Sequence, residues 1–121
     1  MYLLDSSAII EILDDTEKGK RITRFCKDKK IYITSFSIHE VLYGDKNYSR
    51  SLPFFETIPI LNFDELASYT SLKIRKDLEN KGKMINMFDV FIASIVKSNN
   101  LTIITLDKHF KNIKEIKCKV F

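Results

Sequence analysis

The sequence is short of glycine, cysteine and histidine, and each shortage removes a class of chemistry. Three glycines in 121 residues argue against a glycine-rich nucleotide loop, and neither G-x-G-x-x-G nor G-x-x-x-x-G-K-S/T occurs. The two cysteines, Cys26 and Cys118, stand far apart and make no metal-binding pair. They read as reduced thiols within the packing of a cytoplasmic protein. His39 and His109 are too few and too scattered for a zinc site. Ser7 and Ser35 lack any Ser-His-Asp context, which argues against serine hydrolysis. No basic-then-apolar leader opens the chain and no apolar run approaches membrane-spanning length. The expectation is a cytosolic protein with no membrane contact.

What is present fits one folded domain, residues 1–121, large enough for one core but not two. Hydrophobic residues make up 45% and charged residues 30%, a balance that excludes a disordered chain. The net charge of +4 suits contact with a phosphate backbone, although many basic proteins bind no nucleic acid. Carboxylates gathered in one place would leave the remaining surface more basic still. An acidic pit in a basic surface is what a metal-dependent enzyme acting on a polyanion needs.

Apolar patterning alternates strand and helix along the chain. Tyr2 to Asp5 reads as a strand, followed by a helix around Ser7 to Leu13 and a second one, capped by Thr16, running to about Lys27. Ile31 to Thr34 is strand-like by its β-branched content. A helix follows from Ser37 to Tyr43, with Gly44 as its stop. Between Asp45 and Pro59 the pattern is weak, with a short helix at Ser51 to Phe55. Ile58 to Phe63 reads as a buried apolar strand. Asp64 then caps a helix over Glu65 to Asn80, with Leu66, Ala67, Tyr69, Leu72 and Leu78 as its core-facing stripe. A helix at Met87 to Lys97, a strand at Leu101 to Thr105, a helical turn at Lys108 to Phe110 and a strand at Ile116 to Phe121 complete the series. Strands separated by helices imply parallel pairing and a three-layer α/β/α sandwich around a mainly parallel sheet. Ligands bind such sheets outside the carboxyl ends of the strands.

Four acids, Asp5, Glu40, Asp89 and Asp107, occupy positions where this design would bring them together. Asp5 and Asp107 follow apolar strands, and hard oxygen ligands in a cluster suit a divalent cation. Each acid also has a structural explanation. Asp5 suits a turn before a helix, and Asp107 suits a cap on the turn that follows it. Ser37-Ile38-His39-Glu40 matches a capping box, whereas with Ser35 as cap Glu40 lies deeper in its helix. Asp89 near a cap at Asn86 complements the helix dipole. It is also flanked by Phe88, Val90, Phe91, Ile92 and Ala93, so its carboxylate is partly buried and needs a partner.

Taken in order, Leu3-Leu4-Asp5-Ser6-Ser7, Ile33-Thr34-Ser35, Glu40-Val41-Leu42-Tyr43-Gly44, Asp89-Val90-Phe91-Ile92-Ala93-Ser94 and Thr105-Leu106-Asp107-Lys108-His109-Phe110 resemble the PIN-domain family, in particular VapC-type toxins of prokaryotic toxin–antitoxin pairs. The resemblance covers essentially the whole chain. Phe88-Asp89-Val90 is more aromatic than is usual before the third acid. The resemblance implies an endoribonuclease dependent on Mg²⁺ or Mn²⁺, with Asp5, Glu40, Asp89 and Asp107 as its acidic quartet. Asp5 and Asp89 would be primary metal ligands. Glu40 would be a ligand or orient the attacking water, and Asp107 would hold metal directly or through water. Thr105 and Ser7 match polar residues beside the acids. Also implied are an RNA substrate, a cognate antitoxin and a homodimer. A PIN-like module that binds RNA or protein without cleaving is the alternative, and the intact quartet argues against it. A phosphatase or phosphoacceptor domain with Asp5 as nucleophile would want a second acid beside it, where Ser6-Ser7-Ala8 stands.

Overall fold

The computed structural model describes residues 1–45 and 47–121. These form strands β1 (Tyr2–Leu4), β2 (Ile31–Thr34), β3 (Ile60–Leu61), β4 (Thr102–Thr105) and β5 (Lys117–Val120). Around them lie helices α1 (Ser6–Leu13), α2 (Glu17–Cys26), α3 (Ser35–Gly44), α4 (Tyr48–Glu56), α5 (Glu65–Asn80) and α6 (Met87–Ser98), with a 3-10 turn at Lys108–Asn112. The strands form one sheet in the order β3-β2-β1-β4-β5, and every described pairing is parallel. The order reverses between β1 and β4, where Leu4 pairs with Ile104. The crevice outside the carboxyl ends of those two strands is therefore the topological switch point, the place where open α/β sheets bind ligands.

Successive strand residues point to opposite faces, and here both faces are covered. Leu3 and Ile103 join Ala67, Ile74 and Leu78 of α5 and Val90, Ile92, Ala93, Ile95 and Val96 of α6. Leu4, Ile33 and Ile104 join Ala8 and Ile9 of α1, Ile22 of α2, Val41 of α3 and Phe55 of α4. This is the expected three-layer sandwich. Cys26 and Cys118 are free, half-buried thiols packed against different clusters. Gly19 lets α2 approach α1, since a Cβ there would collide with the backbone carbonyl of Glu11. Arg50 ties α4 to the end of α1 through Asp14 (2.8 Å) and the Leu13 carbonyl (2.9 Å), and to the end of α3 through Asp45 (3.1 Å). Among the described residues no helix is long and apolar enough to cross a membrane.

Three sequence expectations need correction. Helix α3 starts two residues before Ser37: its cap is Thr34, whose hydroxyl accepts the Ser37 N–H at 3.2 Å. Neither Ser37 nor Ser35 is the cap. The expected buried strand at Ile58 to Phe63 is the two-residue edge strand β3, with Ile60 46% exposed, because an edge strand has a neighbour on one side only. On α5 the inward residues are Ala67, Ser71, Ile74 and Leu78, while Leu66, Tyr69 and Leu72 face solvent. The inward stripe there is built partly from small residues, which let α5 lie close to α6. The helix expected at Ser51 to Phe55 extends over Tyr48–Glu56.

Candidate active site

The centre of the site follows from β1 ending one residue before Asp5. Leu3 and Leu4 are buried on the two faces of the sheet, so the chain leaves the sheet edge at Asp5, whose side chain is only 4% exposed. Asp5 is the cap residue of α1, yet its carboxylate makes no capping hydrogen bond. It accepts instead from the Thr105 hydroxyl at 2.8 Å and the Ser7 hydroxyl at 3.1 Å. Both donate to the same oxygen, Oδ2. The hydroxyls are in turn held by backbone donors: Leu106 N–H to Ser7 Oγ and Asp107 N–H to Thr105 Oγ1, each at 3.0 Å. Each hydroxyl has one proton, so with both given to Asp5 the 3.2 Å between Ser7 Oγ and Thr105 Oγ1 is a close contact. The network stitches the end of β1 to the end of β4 across the switch point. Burial raises the Asp5 pKa above its ordinary value, the two hydroxyls and the Ser6 N–H oppose this, and the charge of Asp107 adds to it.

Glu40 lies in the second turn of α3, too deep for the capping box, and so loses its structural explanation. Its Oε1 is buried and, among the described residues, has no hydrogen-bond partner. Burial and then the charge of Asp5 raise its pKa, while the Ser6 hydroxyl and His39 act the other way. Asp89 is the third residue of α6, behind the Asn86 cap that takes the Phe88 N–H at 2.8 Å. Its pKa is pushed up to about 7, first by burial and then by the charges of Asp5, Asp107 and Glu40, with His109 opposing. Asp107 keeps a structural role: Oδ1 accepts the His109 N–H at 2.8 Å, capping the 3-10 turn, and lies 3.0 Å from His109 Nδ1.

The four acids thus form one electrostatic group around the switch point. At ligand distance they do not yet converge: among the described residues no three acid, imidazole or thiol groups close on a common point as they stand. The donor set nevertheless suits a hard divalent cation. It consists of carboxylate oxygens that repel one another, one of them an orphaned buried oxygen at Glu40. A bound cation would relieve both the repulsion and the orphan. The Ser6 hydroxyl beside Glu40 was not singled out in the sequence. The adjacent pair Ser6-Ser7 was its signal, since neighbouring residues at a helix start can serve two different acids.

A family model described as PIN domain matches residues 2–116. The chain is 33% identical to Ribonuclease VapC3 of Methanocaldococcus jannaschii, over 77% of this chain and 95% of that protein. It is 26% identical to Ribonuclease VapC2 of Rickettsia felis, over 97% of this chain and 90% of that protein. In fold it resembles the crystal structure of VapBC2 from Rickettsia felis bound to a promoter DNA fragment. That likeness has a TM-score of 0.87 at 24% identity and covers 99% of this chain and 98% of that one. With the switch-point acids in place and the match running through all four of them from β1 past β4, the chain belongs to the PIN-domain family, among its VapC-type members.

Proposed function

We propose that this protein is an endoribonuclease that hydrolyses RNA phosphodiester bonds with Mg²⁺ or Mn²⁺, and that it is the toxin of a type II toxin–antitoxin pair. The observation that carries the reading is the group of four carboxylates at the switch point, with an orphaned oxygen on Glu40 and a nearly neutral pKa at Asp89. The ribonuclease names of the relatives and the VapBC neighbour in fold support it.

In this reading Asp5 and Asp89 would hold the cation, Asp107 would hold it directly or through water, and Glu40 would be a ligand or orient the attacking water. When bound, the cation makes a water more acidic and offsets the charge that develops on the phosphate oxygens. The chain's own part is positioning. Thr105 and Ser7 fix the Asp5 carboxylate by donating to Oδ2 and are themselves fixed by backbone N–H groups. Lys108, His109 and Lys111, beside Asp107, are exposed cations or donors suited to the flanking phosphates. RNA, a cognate antitoxin and a second copy of the chain are its partners, residues 1–121 act as one domain, and the site of action is the cytoplasm.

The test is cleavage of a mixed RNA pool by the purified protein with Mg²⁺ or Mn²⁺, alongside Asp5→Asn and Asp89→Asn. Cleavage by the parent alone is expected. RNA binding without cleavage under either metal would favour a binding module, and equal cleavage by the variants would remove the quartet from the mechanism.

A further inference from the structure

We propose that a cavity of about 500 Å³ beside the acids, lined by Ser35, Phe36, His39, Glu40, Tyr43 and Phe88, is a stacking subsite for one unpaired nucleobase of the RNA next to the scissile phosphate. The inference rests on the nuclease reading above and adds a recognition element to it.

The sequence builds this wall from two helices. Phe36, Glu40 and Tyr43 fall on one face of α3 at the i, i+4 and i+7 spacing, with His39 alongside. Phe88, from the first turn of α6, closes the other side and immediately precedes Asp89. Glu40 therefore belongs to both the cavity and the acid group, so a nucleotide whose phosphate lies at the acids has its base within reach of the rings. Phe36 is braced from behind: its ring lies 5.8 Å from Phe91 at an interplanar angle of 29° and 6.1 Å from Phe63. Its second neighbour in the wall, Phe88, is 5.7 Å away. His39 and Tyr43 are nearly parallel, at 22°. The outer rings are open to water, Tyr43 at 89% and Phe88 at 49% exposure, although aromatic side chains usually find cover.

Charge selects the occupant. The lining contains one carboxylate and neither lysine nor arginine, so a phosphate is disfavoured in the cavity itself. A flat, neutral ring is favoured. A base held in a duplex is already stacked, whereas bases of single strands and loops can splay onto aromatic side chains. The subsite thus directs the enzyme to unpaired RNA.

The test uses single-stranded RNA oligonucleotides of mixed sequence carrying 2-aminopurine at each position in turn, bound to the full chain in an Asp89→Asn background that blocks cleavage. Quenching at one register is expected. Tyr43→Ala and Phe88→Ala should abolish it and weaken binding about tenfold to a hundredfold. Tyr43→Phe and Phe88→Tyr should retain both properties, and Tyr69→Ala, an exposed ring on the outer face of α5, should change neither. Full rescue by Phe88→Leu would reduce the ring to packing and overturn the proposal. So would alanine variants that alter the sedimentation coefficient while leaving RNA affinity intact, which would give the cavity to a protein segment. The two readings separate cleanly. RNA cleavage by the parent with no quenching at any position sinks the subsite and leaves the nuclease. Register-specific quenching with no cleavage by the parent does the reverse.

Discussion

Thr105 Oγ1 lies 2.8 Å from Asp5 Oδ2 and joins residues one hundred positions apart in a buried hydrogen bond. It is one of two hydroxyl donors to a carboxylate that is almost wholly buried. Replacing it by Thr105→Val keeps the shape of the side chain while removing both that donor and the acceptor for the Asp107 N–H. Destabilisation of about 1–3 kcal/mol is expected, read as a lowered urea midpoint. Thr105→Ser should recover most of it. Mn²⁺ affinity measured by calorimetry should fall about tenfold to a hundredfold in the valine variant; an unchanged affinity would mean that the hydroxyl does not orient Asp5.

The acids should make the metal-free protein more stable in mild acid than above neutrality. An acid whose folded pKa exceeds its unfolded value binds its proton more tightly in the fold, so stability declines as pH rises between the two values. For Asp89 that window runs from 3.8 to about 7, and the raised values of Asp5 and Glu40 act in the same direction. Asp45 and Asp77 have lowered values, set first by hydrogen bonds to Arg50 and to Lys81, and they oppose the trend toward the acid end. In EDTA, the melting temperature should therefore fall from pH 5 to pH 8. Asp89→Asn should flatten the slope and be the more stable protein at pH 8. Asp89 is partly exposed, and after solvent screening the gain is on the order of 1–2 kcal/mol. A variant less stable than the parent at pH 8 would contradict the repulsion.

Divalent metal should act as a ligand of the native state. Mn²⁺ at about a hundred times its dissociation constant adds about 2.7 kcal/mol, seen as a raised melting temperature. The increment should grow from pH 6 to pH 8 because the metal displaces protons from the carboxylates. Glu40→Gln and Asp89→Asn should each shrink it. A melting temperature indifferent to excess Mn²⁺ would show that the acids do not assemble into a site.

Gly19 and Gly44 make a matched pair for stability. The missing Cβ at Gly19 would meet the Glu11 backbone, whereas the one at Gly44 has nothing within 4 Å. Gly19→Ala should cost about 1–3 kcal/mol through forced separation of α1 and α2. Gly44→Ala, at the last residue of α3, should be neutral or raise stability by up to about 1 kcal/mol. Thermal melts followed by circular dichroism distinguish the two, and equal effects would rule out the close helix contact.

Much of this architecture is legible in the chain because local chemistry and tertiary packing agree. Asp64 caps α5 as its position suggests, accepting the Ala67 N–H at 2.9 Å, and Ile31–Thr34 pairs on both sides as its β-branched content suggests. The acids at the strand ends were legible for the same reason, since a parallel sheet directs them to one edge. Legibility failed where the strongest local signal was not the one tertiary structure used. On α5, Leu66, Tyr69 and Leu72 outrank Ser71 in hydrophobicity, yet close packing on α6 selects the face bearing Ala67 and Ser71. At α3, Ser37 and Ser35 both offer a cap, and the strand-end hydroxyl of Thr34 takes that place ahead of either. The Asp5 partners were only half visible: Ser7 is two residues away, but the pairing with Thr105 depends on β1 lying beside β4. Of the aromatic wall between α3 and α6, only Phe88, an unusual residue before the third acid, stands out in the sequence.

The placement of β4 beside β1 also governs the order in which this centre can form. Its first strand supplies Asp5, but the neighbour that positions Asp5 is Thr102–Thr105, whose Thr105 lies 100 residues further along the chain. A growing chain cannot complete this centre until β4 has been translated, and a product cut short before β4 lacks both Thr105 and Asp107. Such copies carry Asp5 without the β4 hydroxyl that holds its carboxylate.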